Sequence, residues 1–235
     1  MIDTKLLEKY KLIYNLPGEK ERGKKATELL EAKYGKEFRY KNARPVGLKD
    51  DFYTVISYSV ENPYLLFEAR ISLDETTVCD EYAIKAACDD YCKQMLGRVK
   101  KLNGYLLLRM QSLIRGFQMD EIQIDISKLQ EIKPRNCYSI DVYYGQSDKK
   151  SDDLYEVINE MLSEDERIEG VLNLYILPEE VFDNAQKYLE SHDKAYMDFY
   201  DVLEGRQPLS SEIIKGKLSV PKKEWEERMV TENDI

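Results

Sequence analysis

Histidine is almost missing from this sequence. His192 is the only one, which excludes zinc sites that need two histidines and most multi-histidine catalytic centres. Long apolar runs are missing too. None approaches the roughly 20 residues that carry a helix across a bilayer, so no transmembrane segment is expected. The first residues, Met1-Ile2-Asp3-Thr4-Lys5, lack the apolar core of a secretory signal. Cysteine is sparse: Cys79, Cys88, Cys92 and Cys137. With no export signal, reduced thiols and a cytoplasmic location are expected. No G-x-S-x-G nucleophile elbow occurs, and no acidic cluster has the spacing of a calcium loop.

What is present is charge and tyrosine. Tyrosine outnumbers phenylalanine 18 to 6, and its amphipathic ring suits both sheet packing and protein interfaces. Packing takes the larger share of that weight. The charge is uneven. Residues 1–117 carry 21 Lys+Arg and 17 Asp+Glu, a balance of +4, whereas residues 118–235 carry 14 and 28, a balance of −14. Phosphate would be repelled by the second half, so nucleic acid is not expected as a partner. A basic protein surface fits it better.

Periodicity gives the elements. Leu6, Leu7, Tyr10, Ile13 and Tyr14 predict a first helix, and Ala26, Leu29 and Leu30 a second over about 19–34, with Gly35 as its left-handed cap. Strands are predicted over 38–44, over 52–60 with Phe52, Thr54, Ile56, Tyr58 and Val60 on one face, and over a third run with Leu65, Phe67, Ala69, Ile71 and Leu73 on one face. Asn62-Pro63 reads as the turn between the last two. A helix starting near Asp80 carries the stripe Ile84, Ala87, Cys88, Tyr91, Cys92 and Met95. Residues 96–117 hold Arg98, Lys100, Lys101, Arg109 and Arg115 and no acid. A helix over Tyr105–Phe117 is expected there, because Leu106, Met110, Leu113 and Phe117 share a helical face. Further on come strands at Ile122–Ile126, Tyr138–Tyr144 and Val171–Leu177. Helices are read at Leu154–Leu162, after Pro178, and at Tyr196–Leu203. Residues 206–235 read as a loosely packed polar tail around Trp225.

The fold class is therefore α+β: an antiparallel meander with flanking helices, followed by a second, mixed α/β unit. The divisions expected are 1–100, a basic connecting segment 101–120, a second unit 121–205 and the tail 206–235.

Each chemical motif meets a plainer reading. Gly18 to Lys25 nearly matches a phosphate loop, but Lys25 stands where the magnesium-binding hydroxyl belongs, so a charged helix start is preferred. Cys88 and Cys92 stand i, i+4, a spacing able to hold a metal, yet both lie on an apolar stripe where cysteine is a small core residue. His192, in Ser191-His192-Asp193, reads as a helix break and not as a general base. No cofactor and no metal are expected. The acidic pairs Asp50-Asp51, Asp80-Glu81, Asp89-Asp90 and Asp152-Asp153 read as caps and solvated surface.

One stretch has a resemblance. Lys33-Tyr34-Gly35-Lys36-Glu37-Phe38, strands ending at Phe67-Glu68-Ala69-Arg70-Ile71, and Cys79-Asp80-Glu81-Tyr82 form a pattern over residues 24–95. It is similar to small uncharacterised α+β domains of Gram-positive bacteria. The resemblance implies structure only and brings no catalytic residues.

The functional expectation is a non-enzymatic cytosolic protein-binding or accessory module, in its most specific form immunity- or antitoxin-like, with an acidic surface for a basic partner. Residues 148–169 hold nine acids and three bases. Asp152, Asp153, Glu156, Glu160, Glu164, Asp165 and Glu166 are the steering residues named there, and no catalytic residue is named. The alternative is a hydrolase or transferase that works through carboxylates alone, without metal–histidine chemistry.

Overall fold

The computed structural model describes residues 4–47, 50–99, 106–112, 138–146, 154–163, 166, 168–190 and 202–233. It is an α+β protein whose described residues hold six helices and two sheets. The described residues fall into two compact units, one up to Ala83 and one from Ile84 onward.

In the first unit, helices α1 (Thr4–Tyr14) and α2 (Glu19–Tyr34) precede four strands, β1 (Phe38–Ala43), β2 (Phe52–Ser59), β3 (Asn62–Ser72) and β4 (Val78–Asp80). The strands form an antiparallel sheet in sequence order. Gly35 ends α2 at φ +66, with its N–H donating to the Glu31 carbonyl at 2.8 Å. Only glycine adopts that conformation without a steric cost. Strand β2 alternates as its sequence suggested. Phe52, Thr54, Ile56 and Tyr58 do share a face, but it is the half-buried one; Tyr53, Val55, Ser57 and Ser59 are buried. Phe67, Ala69 and Ile71 of β3 are buried with them, and the register puts Phe67 opposite Ser57 and Ile71 opposite Tyr53. Helix α2 buries Gly23, Ala26 and Leu30. A Cβ on Gly23 would stand 2.4 Å from the Tyr40 ring. Gly23 thus admits a ring into the helix surface, inside a continuous helix and not in a phosphate-binding loop.

Two local expectations are corrected here. The β2–β3 turn is Val60-Glu61, and Asn62 is already the first residue of β3, opposite Ser59. β4 was not expected, because three residues carry too little alternation to register.

The second unit receives most of α3 (Tyr82–Arg98), whose six-residue stripe is buried throughout. Its sheet has the order β5 (Leu106–Ser112), β6 (Tyr138–Gln146), β7 (Gly170–Pro178), β8 (Leu209–Ile214), β9 (Lys217–Leu218). β6 and β7 are parallel and the other neighbours antiparallel. Between β6 and β7 the chain forms α4 (Leu154–Ser163), between β7 and β8 it forms α5 (Glu179–Glu190), and α6 (Lys222–Asn233) follows β9.

The helix expected over Tyr105–Phe117 is a strand where the structure describes it. Leu106 and Met110 are four apart, which is one turn of helix and also two periods of strand. Pairing of Leu106–Ser112 with Tyr138–Tyr144 decides the matter. The tail expected over 206–235 is also overturned. Leu209, Ser211 and Ile213 are buried and alternate with exposed Ser210, Glu212 and Ile214. Lys215 and Gly216, at φ +49 and +69, make the two-residue turn into β9. Trp225 of α6 is 1% exposed and meets the Tyr155 ring edge-on at 6.1 Å. Serine and glutamate diluted the apolar pattern that would have shown these strands. Pro178 closes β7 and does not open α5.

One face of this sheet packs on α5: Tyr143, Tyr175 and Leu177 meet Val181, Phe182, Ala185 and Tyr188. The Tyr143 and Tyr175 rings stack at 5.0 Å. Gly145 leaves room for Phe182, whose ring would lie 2.7 Å from an added Cβ.

Candidate functional site

Three groups of polar side chains stand out from this frame. The first joins the parts of the sequence pattern that carried the resemblance. Asp80 ends β4, and its side chain is wholly buried. One oxygen accepts from Lys33 Nζ at 2.9 Å; the other accepts from the Tyr34 hydroxyl at 2.7 Å and from the Tyr82 N–H at 2.9 Å, capping α3. Around this joint Tyr34, Phe38, Phe67 and Tyr82 form a ring cluster, with Tyr34–Tyr82 at 4.9 Å and Phe38–Tyr82 at 5.0 Å. Burial, and then the Asp80 charge, push the Tyr34 hydroxyl well above the ordinary tyrosine range. Burying a carboxylate is tolerable only with such a full set of donors. The three bonds make Asp80 a clasp between the end of α2, β4 and Tyr82 at the start of α3.

The second group crosses the second sheet. Arg109, Asp141, Asn173 and Ser210 stand in register on four neighbouring strands, one strand period away from the Tyr143–Tyr175 pair and on the same face. Asn173 Nδ2 donates to Asp141 Oδ1 at 2.9 Å and to Ser139 Oγ at 3.1 Å, while Ser210 Oγ donates to Asn173 Oδ1 at 2.8 Å. Asp141 is 8% exposed. The row presents one carboxylate, whereas two-carboxylate hydrolysis needs a facing pair. The local trace of it in the sequence is faint: Asp141 and Asn173 each stand mid-strand among mostly apolar residues.

The third group is the acidic surface named from sequence. Helix α4 buries Leu154, Val157, Ile158, Met161 and Leu162, which turns Glu156 and Glu160 outward. Glu166 is exposed as well. Glu156 pairs with Lys222 of α6 at 2.8 Å, so it ties two helices together. Asp152, Asp153, Glu164 and Asp165 lie outside the described residues, as do His192, Cys137 and the segments 122–126 and 196–201. At the start of α5, Glu179, Glu180 and Asp183 add three exposed acids.

Cys88 and Cys92 sit as core residues: both are buried and neither is in a disulfide, and burial, with Cys88 adjacent, pushes the Cys92 thiol up, away from the thiolate a metal would take. Among the described residues no three His, Cys, Asp or Glu side chains converge in a group able to hold a metal ion. The other acidic pairs are engaged too: Asp51 with Lys9 of α1 at 2.7 Å, Asp50 with the Gly47 N–H at 2.7 Å, and Asp89 with Lys93 at 2.7 Å. Among the described residues no helix is long and apolar enough to cross a membrane.

No family model matches the chain, and no curated protein matches it. Among solved structures it is similar to the crystal structure of a DUF5037 family protein from Ruminococcus gnavus ATCC 29149, with a TM-score of 0.66 and 15% identity, covering 87% of this chain and 97% of that one. At that identity the likeness shows the α+β fold. The neighbour comes from a Gram-positive bacterium, the group to which the pattern in residues 24–95 pointed.

Proposed function

We propose that this chain is a non-enzymatic, cytosolic protein-binding or accessory module whose acidic second unit captures a basic partner, as an immunity or antitoxin protein captures its target. The observation that carries the reading is the outward set Glu160, Glu166, Glu179, Glu180 and Asp183, all exposed and none in an ion pair among the described residues. Acids left unneutralised on a surface raise the rate of encounter with a basic partner and orient it. The satisfied hydrogen bonds of Asp80 and Asn173 agree with a structural use of the buried polar groups.

The test is capture from native lysate at rising salt, with the parent chain and with Glu160→Lys combined with Glu166→Lys. Glu156 is left intact because it holds Lys222. A basic partner retained at low salt, released by salt within the range where surface charges are screened, and weakened at least tenfold by the double reversal is the expected result. A partner held equally by the reversed chain, or no partner at any salt, overturns the reading.

A further inference from the structure

We propose a second binding surface, on the first unit: the outer edge of β1 takes a short extended peptide that bears an acidic residue beside an apolar one.

The backbone geometry points there. β1 is the outermost strand of its sheet among the described residues. Val60 N–H donates to the Glu37 carbonyl at 3.0 Å, which makes Phe38–Ser59 a pair without mutual hydrogen bonds and turns the Phe38 and Tyr40 backbone groups away from β2. Arg44 N–H donates to the Thr54 carbonyl at 2.8 Å, and by the same rule Ala43 also faces outward, the parity having changed at the irregularity between Tyr40 and Asn42. Helix α2 covers the two ends of this row. Glu31 Oε1 accepts from the Phe38 N–H at 3.3 Å and Glu19 Oε1 from the Ala43 N–H at 3.2 Å. Between them, among the described residues, the Tyr40 N–H and carbonyl have no partner. A free strand edge is a template for another strand. The two carboxylates confine it to the roughly 16 Å from Phe38 to Ala43, about five residues of extended chain.

A cleft of about 510 Å³ lies at that place, with Lys24 and Glu28 on its helix side, and Arg39 and Tyr58 on the other face of the strand beside Tyr40. The alternate side chains of an added strand would fall on these two sides. Each side offers one cation and one ring: Lys24 with Tyr40, and Arg39 with Tyr58. Lys24 makes no ion pair among the described residues, and Arg39 makes only a 3.6 Å contact with Glu37 while remaining 63% exposed. An acid beside an apolar residue matches that lining. Glu28, one helical turn beyond Lys24, acts against a run of acids. This site is separate from the acidic surface of the second unit, which would repel such a peptide.

The experiment selects phage-displayed random peptides on the whole chain and synthesises the enriched sequences. The peptides are then titrated while amide resonances and exchange are followed. The expected result is enrichment of peptides with one acid beside an apolar residue, slowed exchange at the Tyr40 amide, and affinity lowered at least tenfold by Lys24→Glu or Arg39→Glu. Both substitutions are at solvent-facing positions, and unchanged exchange at β2–β3 amides would show that the fold persists. Glu160→Lys with Glu166→Lys should leave peptide affinity unchanged, which separates failure here from failure of the proposed acidic interface. No enrichment, enriched peptides that leave the Tyr40 amide unaffected, or affinity indifferent to both reversals overturns the proposal. So does a Tyr40 amide already protected in a concentration-dependent way without peptide, because a second copy would then occupy the edge.

Discussion

Asp80 and Asp141 are both buried carboxylates on strands, one in each unit, and they are held in different ways. Asp80 is met by a lysine, a phenol and a backbone N–H. Two of these partners are adjacent residues at the end of one helix, and the third begins the next. Asp141 is met by a side-chain amide that is itself fixed by Ser139 and Ser210. The first arrangement is an ionic clasp among three elements; the second is a ladder of side-chain bonds across β6, β7 and β8, with Arg109 in register beside Asp141 on β5. A clasp concentrates its stability on one residue, because removing the carboxylate strands a half-buried ammonium, a phenol and a helix N-terminus together. The ladder has its centre on the amide, since Asn173 takes part in the bonds to Ser139, Asp141 and Ser210 alike.

Asp80→Ala tests the clasp at its most sensitive point. It should cost about 3–5 kcal/mol, in the range for removing one partner of a buried pair. Hydrogen exchange at the β2, β3 and β4 amides reads the loss. A cost under about 1 kcal/mol would mean that the ring cluster of Tyr34, Phe38, Phe67 and Tyr82 holds the unit without the clasp.

The same contrast explains how much of the molecule was legible from sequence. The clasp was nearly readable, because Lys33, Tyr34, Gly35 and Phe38 are consecutive or close, and Asp80 and Tyr82 stand where a helix cap belongs. What sequence withheld was that the two motifs touch. The ladder did not emerge from the sequence: its strands are more than thirty residues apart, and a lone Asn or Asp in a strand does not show which strand will pair with it. The meander, the α3 stripe, β6, β7 and the outward turn of Glu156 and Glu160 followed from periodicity alone. β5 did not, since its spacing of four suits helix and strand equally, and β8 was hidden because two of its six residues are serines and one is a glutamate. The tie of Glu156 to Lys222 could not be seen, because nothing in the sequence brings residue 222 to residue 156.

Asn173 should be the sensitive point of the ladder. Asn173→Ala leaves Asp141 without its amide donor and should cost about 2–3 kcal/mol, read by urea unfolding followed through the emission of Trp225, which lies in the same unit. Asn173→Asp sharpens the result with pH. Two carboxylates would then face each other, and one is held above its unfolded value near 4. A raised carboxylate contributes its full share below the unfolded value and loses it as pH rises. The variant should therefore stand closest to the parent near pH 4 and fall furthest behind near pH 7. A gap independent of pH would mean that the new carboxylate turns away from Asp141.

Gly23→Ala compares packing with helix propensity inside the first unit. Alanine gains about 0.5–1 kcal/mol in a helix interior, but its Cβ would overlap the Tyr40 ring. Overpacking costs about 1–3 kcal/mol, so a net loss near 1 kcal/mol is expected. Tyr40→Leu in the same chain should restore most of it. If Gly23→Ala stabilises the parent chain, the ring moves aside at little cost, and the edge of β1 is looser than described.

An effect of similar size at neutral pH concerns the clasp's phenol. Tyr34→Phe removes one hydrogen bond to a carboxylate that keeps two other donors, which should cost about 1–2 kcal/mol near pH 8. Its signature is alkaline. The Tyr34 hydroxyl is held above the ordinary range by burial and by Asp80, and Tyr53 is raised in the same direction by burial and by its bond to Glu75. A group raised in the folded state contributes fully below its unfolded value, about 10 for tyrosine, and loses that contribution as pH rises further, because the unfolded chain ionises first. The parent should therefore lose stability more steeply than Tyr34→Phe above about pH 10, and the gap between them should narrow. Tyr53 remains in both chains, so the variant keeps part of the slope. A gap that stays constant from about pH 8 to pH 11 would show that the Tyr34 hydroxyl ionises as easily folded as unfolded, and that Asp80 is clasped by Lys33 and the Tyr82 N–H alone.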